Sequence, residues 1–301
     1  MDPVRPPLER RVVFDFEVDF SNGGGIQGQG FRLDIEGEDI SDEALAAHIV
    51  RDMRLLMVGE VRIVAKSIVV EAHKRGRQQP GSASARLVDL SHDVADGMIT
   101  YPGLPGPEIT DHLTREASRA HYAEGTTFSI GTIRMVGNTG TYLDSPFHRY
   151  EDGADLAGLP LEIVADLDGV VIRPDVSARA IGPEVFADVA LEGRAVLVET
   201  GWDRHWRTDA YGHGHPFLTE AAARTLVEGG ATLVGIDSLN IDDMAGGLRP
   251  AHSALLAAGI PIVEHMTGLA ALPPAGFRFF AVPVKVERFG TFPVRCFAIL
   301  A

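Results

Sequence analysis

The chain has 301 residues, 45% apolar and 23% charged, with a formal net charge of −15, so it can hold one large domain and a small companion around a sizeable core. The acidic balance argues against nucleic acid or an anionic membrane as a partner, because phosphate binding needs clustered Lys and Arg. Cys296 is the only cysteine, which rules out an intrachain disulfide and predicts a cytoplasmic protein; the segment Met1–Pro7 lacks the apolar core of a signal peptide, and no apolar run is long enough to span a bilayer.

Residues 1–84 read as a separate small α+β module. From Arg11 to Phe20, Val13, Asp15, Glu17 and Asp19 alternate with Phe14, Phe16, Val18 and Phe20, the pattern of a strand with one polar face. Ser21–Gly25 is a turn; the cluster Gly23-Gly24-Gly25 lacks the Lys-Ser/Thr ending of a phosphate loop. Gly28–Ile35 returns as a second strand. Ser41 is placed to cap a helix with Asp42 and Glu43 in its first turn; Leu45, Ile49, Met53 and Leu56 follow at helical spacing, and Gly59 suits the stop. Val61–Ala72 is rich in β-branched residues and reads as one or two strands, and Arg75–Arg86 reads as a linker. From residue 85 onward short strands alternate with helices, an α/β pattern. Leu87–Leu90, Ala195–Glu199, Thr232–Ile236, Phe279–Val286 and Val294–Leu300 are expected strands, with a helix over Thr219–Glu228.

The segment Gly137-Asn138-Thr139-Gly140-Thr141-Tyr142-Leu143-Asp144-Ser145-Pro146-Phe147-His148 sets small turn residues around a carboxylate and an imidazole four positions apart, and Thr132–Val136 reads as an apolar half-strand leading into it. Far along the chain, His252 and Glu264 flank the apolar run Ser253–Val263. Two imidazoles and two carboxylates are a ligand set suited to Zn or Mn.

This segment resembles the signature His-x-Gly-Thr-His-x-Asp-x-Pro-x-His of the metal-dependent cyclase family, which includes bacterial kynurenine formamidase and isatin hydrolase. The match keeps Gly140, Thr141, Asp144, Pro146 and His148, and places Asn138 and Tyr142 where the signature has histidines. The resemblance runs on through Glu151-Asp152-Gly153, Leu159–Glu162, Thr200-Gly201-Trp202, His215-Pro216, Gly235-Ile236-Asp237 and the His252/Glu264 pair, over roughly residues 86–301. It implies a swivelling β/β/α domain around a small central barrel, commonly a homo-oligomer, dimer or tetramer. It also implies one divalent ion, Zn or Mn, on Asp144, His148, His252 and Glu264, with Tyr142 contributing hydrogen-bond rather than ligand chemistry. Without a metal, His148 or His252 would serve as general base with Tyr142 as acid.

The expected activity is hydrolysis of a small amide or lactam, arylformamidase-like, with Asp144, His252 and Tyr142 in catalytic roles and Asn138, Phe147, Trp202 and His215 against the substrate. Two other readings stand beside it: a ring-forming cyclase or dehydratase working without net hydrolysis, and a non-catalytic binding or scaffold protein. A metal-binding His213/His215 pair is less suited to its glycine-rich loop than a place near the substrate entrance. No serine sits in a nucleophile elbow, and Cys296 has no local partner, which disfavours covalent catalysis.

Overall fold

The computed structural model describes residues 8–35, 37–53, 55, 57–72 and 86–300, and the chain divides into two compact units, Met1–Ser82 and Ala83–Ala301. In the first, β1 (Leu8–Phe20) pairs antiparallel with both β2 (Gly25–Ile35) and β3 (Val58–Ala72), giving a sheet of order β2-β1-β3. The alternation in β1 has a simple result: Val12, Phe14, Phe16 and Val18 are buried and pack with Leu45 and Ile49 of α1 (Asp42–Asp52). Ser41 caps that helix, its hydroxyl accepting from the Ala44 N–H at 3.1 Å. The helix ends before Gly59, which lies inside β3, and the expected helical position Leu56 lies outside the described residues; Met57, in the connection, takes a left-handed φ of 57°. The expected one or two strands after it are one continuous strand of 15 residues. Most of the expected Arg75–Arg86 linker lies outside the described residues.

The second unit is built on β4 (Arg86–Asp89), β5 (Glu108–Leu113), β6 (Ile130–Arg134), β7 (Tyr142–Asp144), β8 (Leu167–Ile172), β9 (Ala180–Ile181), β10 (Arg194–Val198), β11 (Phe217–Leu218), β12 (Leu233–Ile236), β13 (Ile262–Glu264), β14 (Ala275–Phe280), β15 (Thr291–Pro293) and β16 (Phe297–Leu300). Nine of these form a curled half-barrel sheet of order β15-β7-β13-β12-β10-β8-β14-β16-β4. Its centre, β8, β10, β12 and β13, is parallel; the flanking strands are antiparallel. The central strands are buried on both faces, so Val196 and Val198 of β10 join one core while Ala195 and Leu197 join the other. Beyond the short α2 (Arg115–Ser118), the helices α3 (Glu220–Glu228) and α4 (Pro250–Ala257) pack into the first of these, with Thr219 capping α3 through a 3.2 Å bond from the Ala222 N–H.

Three expected elements come out differently. Phe279–Val286 is strand only to Phe280, because Pro283 removes a ladder donor and Val282 and Val284 are exposed. Val294–Leu300 is strand only from Phe297, as β16; Val294–Cys296 follow the end of β15 at Pro293 outside any strand. The half-strand expected at Thr132–Val136 is strand only to Arg134, within β6, which among the described residues pairs with β5 in a separate, exposed ribbon and is not a buried lead into the motif. Among the described residues no helix is long and apolar enough to cross a membrane.

Candidate active site

The site is built where the three-residue strand β7 lies between β13 and β15. Glu264 is paired with Tyr142, and Thr291 with Asp144. Directly opposed residues share a face, so Tyr142, Asp144, Glu264 and Thr291 stand together while Leu143 enters the apolar core. The motif's turn residues make this strand possible. Gly140 takes φ 65° and its N–H reaches the Thr100 hydroxyl at 2.8 Å; the Thr141 hydroxyl donates to the His265 carbonyl at 2.5 Å. Pro146 then opens a single 3₁₀ turn that brings His148 back over Asp144. Gly137 and Gly290 allow close approach of backbone: a β-carbon on the first would meet the Thr291 carbonyl, and one on the second would lie 2.5 Å from the His148 nitrogen.

His252 arrives from the first turn of α4, not from its flank as the apolar run suggested. Asp242, in the loop before the helix, caps it: one carboxylate accepts from the Ala251 N–H at 2.7 Å and the His252 N–H at 3.0 Å, and holds His252 Nδ1 at 2.7 Å. With Nδ1 donating, Nε2 is the nitrogen that carries the lone pair whenever the ring is neutral, as it must be to bind a metal. It lies 3.5 Å from Asp144 Oδ2 and 3.6 Å from Glu264 Oε1. Thr291 donates to Asp144 Oδ1 and its oxygen lies 2.7 Å from His148 Nδ1, which therefore donates to it; His148 Nδ1 is 3.7 Å from Asp144 Oδ1.

Asp144, His148 and His252 each present one ligand atom within 4.8 Å of the others. The 3.5 Å between His252 Nε2 and Asp144 Oδ2 fits a shared cation, since ligands at about 2.1 Å from a tetrahedral Zn stand roughly 3.4 Å apart. A second observation agrees: Asp144 Oδ2 is buried without a hydrogen-bond partner among the described residues. Glu264 stands beside the trio with both oxygens engaged, Oε1 by the Ile241 N–H at 2.6 Å and Oε2 by the Tyr142 hydroxyl at 2.7 Å.

Electrostatics follow from this packing. Burial alone would lower the His252 imidazole, but Glu264, Asp144 and Asp242 outweigh it and raise it to about 10. Burial opposes ionisation of Asp144, yet His252 and His148 hold it below its ordinary value, whereas burial pushes Glu264 up to about 7. A carboxylate field that favours an imidazolium favours a divalent ion at the same place. Tyr142 is the opposite case. Burial, then the charges of Glu264 and Asp144, push its phenol well above its ordinary value, so it remains a donor. Its oxygen accepts from His265 Nε2 at 3.2 Å, and His265 Nδ1 in turn meets the Tyr211 hydroxyl at 2.8 Å. Burial drives His265 down to about 3, so this fully buried ring is a neutral link between two phenols.

A cavity of about 210 Å³ opens over these groups, with Asn138, Tyr142, His148, His252 and Glu264 in its wall. Tyr101, Leu104, Arg149, Asn240 and Arg249 complete that wall, and sequence reasoning singled out none of them, nor Asp242, Thr291, His265 or Tyr211. Phe147, Trp202 and His215, expected against the substrate, are not wall residues. Trp202 donates to the Tyr211 carbonyl at 3.0 Å, and His215 is buried with Nε2 3.0 Å from the Asp242 carbonyl, where it braces the loop that caps α4. His213 is exposed, so the His213/His215 pair does not converge. Asp237 joins two further segments, accepting from the Thr200 N–H at 2.7 Å and the Gly201 N–H at 2.8 Å. The Cys296 thiol is buried, which pushes it up to about 12 and makes it a poor nucleophile.

The comparisons with known proteins agree with this architecture. The chain is 29% identical over 216 residues to a kynurenine formamidase from Salinibacter ruber, covering 69% of this chain and 95% of the relative. It superposes on isatin hydrolase A from Labrenzia aggregata with a TM-score of 0.62 at 24% identity, over 72% of this chain and 94% of that one, which shows a common fold. A structure from Bacillus stearothermophilus described as a predicted metal-dependent hydrolase gives a TM-score of 0.58 at 27% identity, covering 72% and 99% of the two chains. The Cyclase family model matches residues 88–243, more than half of the sequence, and the chain therefore belongs to the cyclase family.

Proposed function

We propose that this protein hydrolyses a small amide or lactam, arylformamidase-like, in the cavity over Asp144. The observation that carries the reading is the convergence of Asp144, His148 and His252 within 4.8 Å, with the two imidazoles and the neighbouring Glu264 in the wall of a small-molecule cavity. The kynurenine formamidase relatives support the reaction class, and the metal-dependent hydrolase neighbour supports a cation. Asp144, His148 and His252 would hold one divalent ion, zinc or manganese, with Glu264 as the fourth donor. When bound, that ion supplies Lewis acidity for carbonyl polarisation and water activation.

The chain's own residues do the rest. Asp242 fixes the His252 ring so that Nε2 faces the cavity. Tyr142 holds Glu264 in place with its hydroxyl, and His265 with Tyr211 fixes that hydroxyl's direction. Asn138 and Tyr142 present polar groups to the substrate from one wall, and Leu104 an apolar one. The protein acts in the cytoplasm as a homo-oligomer; the cross-strand partners Ile109 and Ile133, exposed on one face of the β5–β6 ribbon, supply an apolar face for assembly.

Elemental analysis of protein purified without chelators should find no more than one tightly held divalent ion per chain, and mass spectrometry of products from an amide and lactam panel should show the gain of one water. Two ions at full occupancy would sink the single-site reading. A product lighter by one water would replace hydrolysis with dehydrative cyclisation, and binding without turnover across the panel would leave a non-catalytic protein.

A further inference from the structure

Two guanidinium groups, Arg149 and Arg249, line the inner cavity together with His148, His252 and Glu264. The same two residues line an adjoining outer cleft of about 520 Å³ with Glu220, Arg224 and Leu248. They therefore stand where the two spaces meet. Neither has a carboxylate partner among the described residues. Arg149 makes one long bond, Nε to the Ser253 hydroxyl at 3.4 Å, and lies 5.3 Å over the Tyr150 ring. Arg249 uses Nη1 on the carbonyls of Asp243, Gly246 and Leu248, at 3.3, 2.7 and 2.8 Å, which fixes the side chain without neutralising it. Tyr101, whose phenol lies beside Arg249, and Leu104 add an aromatic and an apolar surface to the same wall.

Arginines of this unit such as Arg173, Arg179 and Arg278 pair with carboxylates. What sets Arg149 and Arg249 apart is their place: both lie in the wall of the cavity that His148, His252 and Glu264 share. A cationic opening on an acidic protein attracts an anion, and a guanidinium fork matches a planar carboxylate in both geometry and charge.

We infer that the substrate is an anionic one: a small, single-ring amide or lactam bearing a carboxylate, which Arg149 and Arg249 hold at the cavity mouth while the scissile carbonyl lies over Asp144. This specificity rests on the reading of the cavity as a hydrolase pocket; the anion site itself does not.

Calorimetric titration of the full-length protein with benzoate and with benzamide separates the two. Benzoate should bind at least roughly tenfold more tightly, the factor that one charge-assisted hydrogen bond contributes. Arg149→Gln should weaken benzoate by a similar factor, and Arg149→Lys by less. Because Arg249 also ties the 243–248 loop, its test is Arg249→Lys, which keeps the charge and loses the fork. Equal affinity for benzamide, no binding of either compound, or benzoate affinity indifferent to Arg149→Gln would each overturn the inference. In a second arm, turnover of N-formyl-2-aminobenzoate is compared with that of N-formylaniline, and the ratio of their kcat/KM values should exceed ten by roughly the same reasoning and fall toward one in Arg149→Gln. If both compounds are hydrolysed alike by the unaltered protein, the hydrolase reading stands and the anionic-substrate inference falls. If neither is hydrolysed while benzoate still binds in an Arg149-dependent way, the hydrolase reading loses these substrates and the anion site stands.

Discussion

Strand β1 of the N-terminal unit buries Val12, Phe14, Phe16 and Val18 and turns Glu17 and Asp19 outward to meet Arg62; strand β7 of the C-terminal unit buries Tyr142, Leu143 and Asp144 alike. The same division runs through each unit. Among the described residues every buried carboxylate and imidazole, including Asp144, Asp237, Asp242, His252, Glu264 and His265, lies in the C-terminal unit. Burying an ionised group costs several kcal/mol unless partners offset it. The N-terminal unit carries none of that cost and is a sheet stabilised by ordinary apolar burial. The C-terminal unit carries it and supplies the partners, most densely around Asp144, His252 and Glu264, which is how a chemical site differs from a stable core.

The contrast can be broken most severely at Asp144. Asp144→Asn keeps the shape and removes the charge that draws a cation, so activity should fall by roughly a thousandfold or more, together with metal content, at nearly constant circular dichroism. Full activity in this variant would end the metallohydrolase reading, and unfolding would make Asp144 a structural residue. Tyr142→Phe comes next. It strips a donor from Glu264 and an acceptor from His265, costing about 1–3 kcal/mol of stability by denaturant titration and roughly ten- to hundredfold in turnover. Metal content should hold; a metal-free Tyr142→Phe protein would show the phenol to be a ligand. A smaller effect on the chemistry is expected from starting the chain at Ala83. Every wall residue of the cavity lies after that point, so metal and turnover should persist, while melting temperature or mass by light scattering should shift. Loss of turnover there would erase the division between units. Smallest of all is Arg62→Ala, whose ion pairs with Glu17 and Asp19 are half exposed; it should cost less than about 1 kcal/mol in urea melts and nothing in catalysis.

What could be read in advance follows the range of the interaction. The alternation of β1, the Ser41 cap and the helix over Thr219–Glu228 are local patterns, and they match the structure because local propensity and tertiary packing agree there. Asp144, His148 and His252 were legible because the first two share a turn and the third opens an apolar helix. Thr291 was not, because it reaches Asp144 only through the β7–β15 register, 147 positions along the chain. Asp242 left a faint signal: an acidic residue eight positions before a proline-led helix, placed to cap from a distance. His265 offered none, since a histidine next to Glu264 on a strand reads as pointing to the opposite face, and its positive φ of 54° shows that the strand has already ended there. Trp202 and His215 were singled out as aromatic and imidazole groups near family segments, but their polar atoms bond to backbone carbonyls within the supporting loops.

The clamping of β7 between two neighbours has an evolutionary meaning. With one face reactive and the other apolar, a single extra residue between Gly137 and Asp144 would rotate Leu143 into the reaction space and drive Asp144 among leucines and valines. Nor is there slack to absorb it, since Gly137 and Gly290 already bring backbone against backbone. This stretch can drift in its letters, exchanging one polar side chain for another as substrates change, but its length is frozen. Descendants of this gene should diverge here by substitution alone and keep their insertions for the exposed loops.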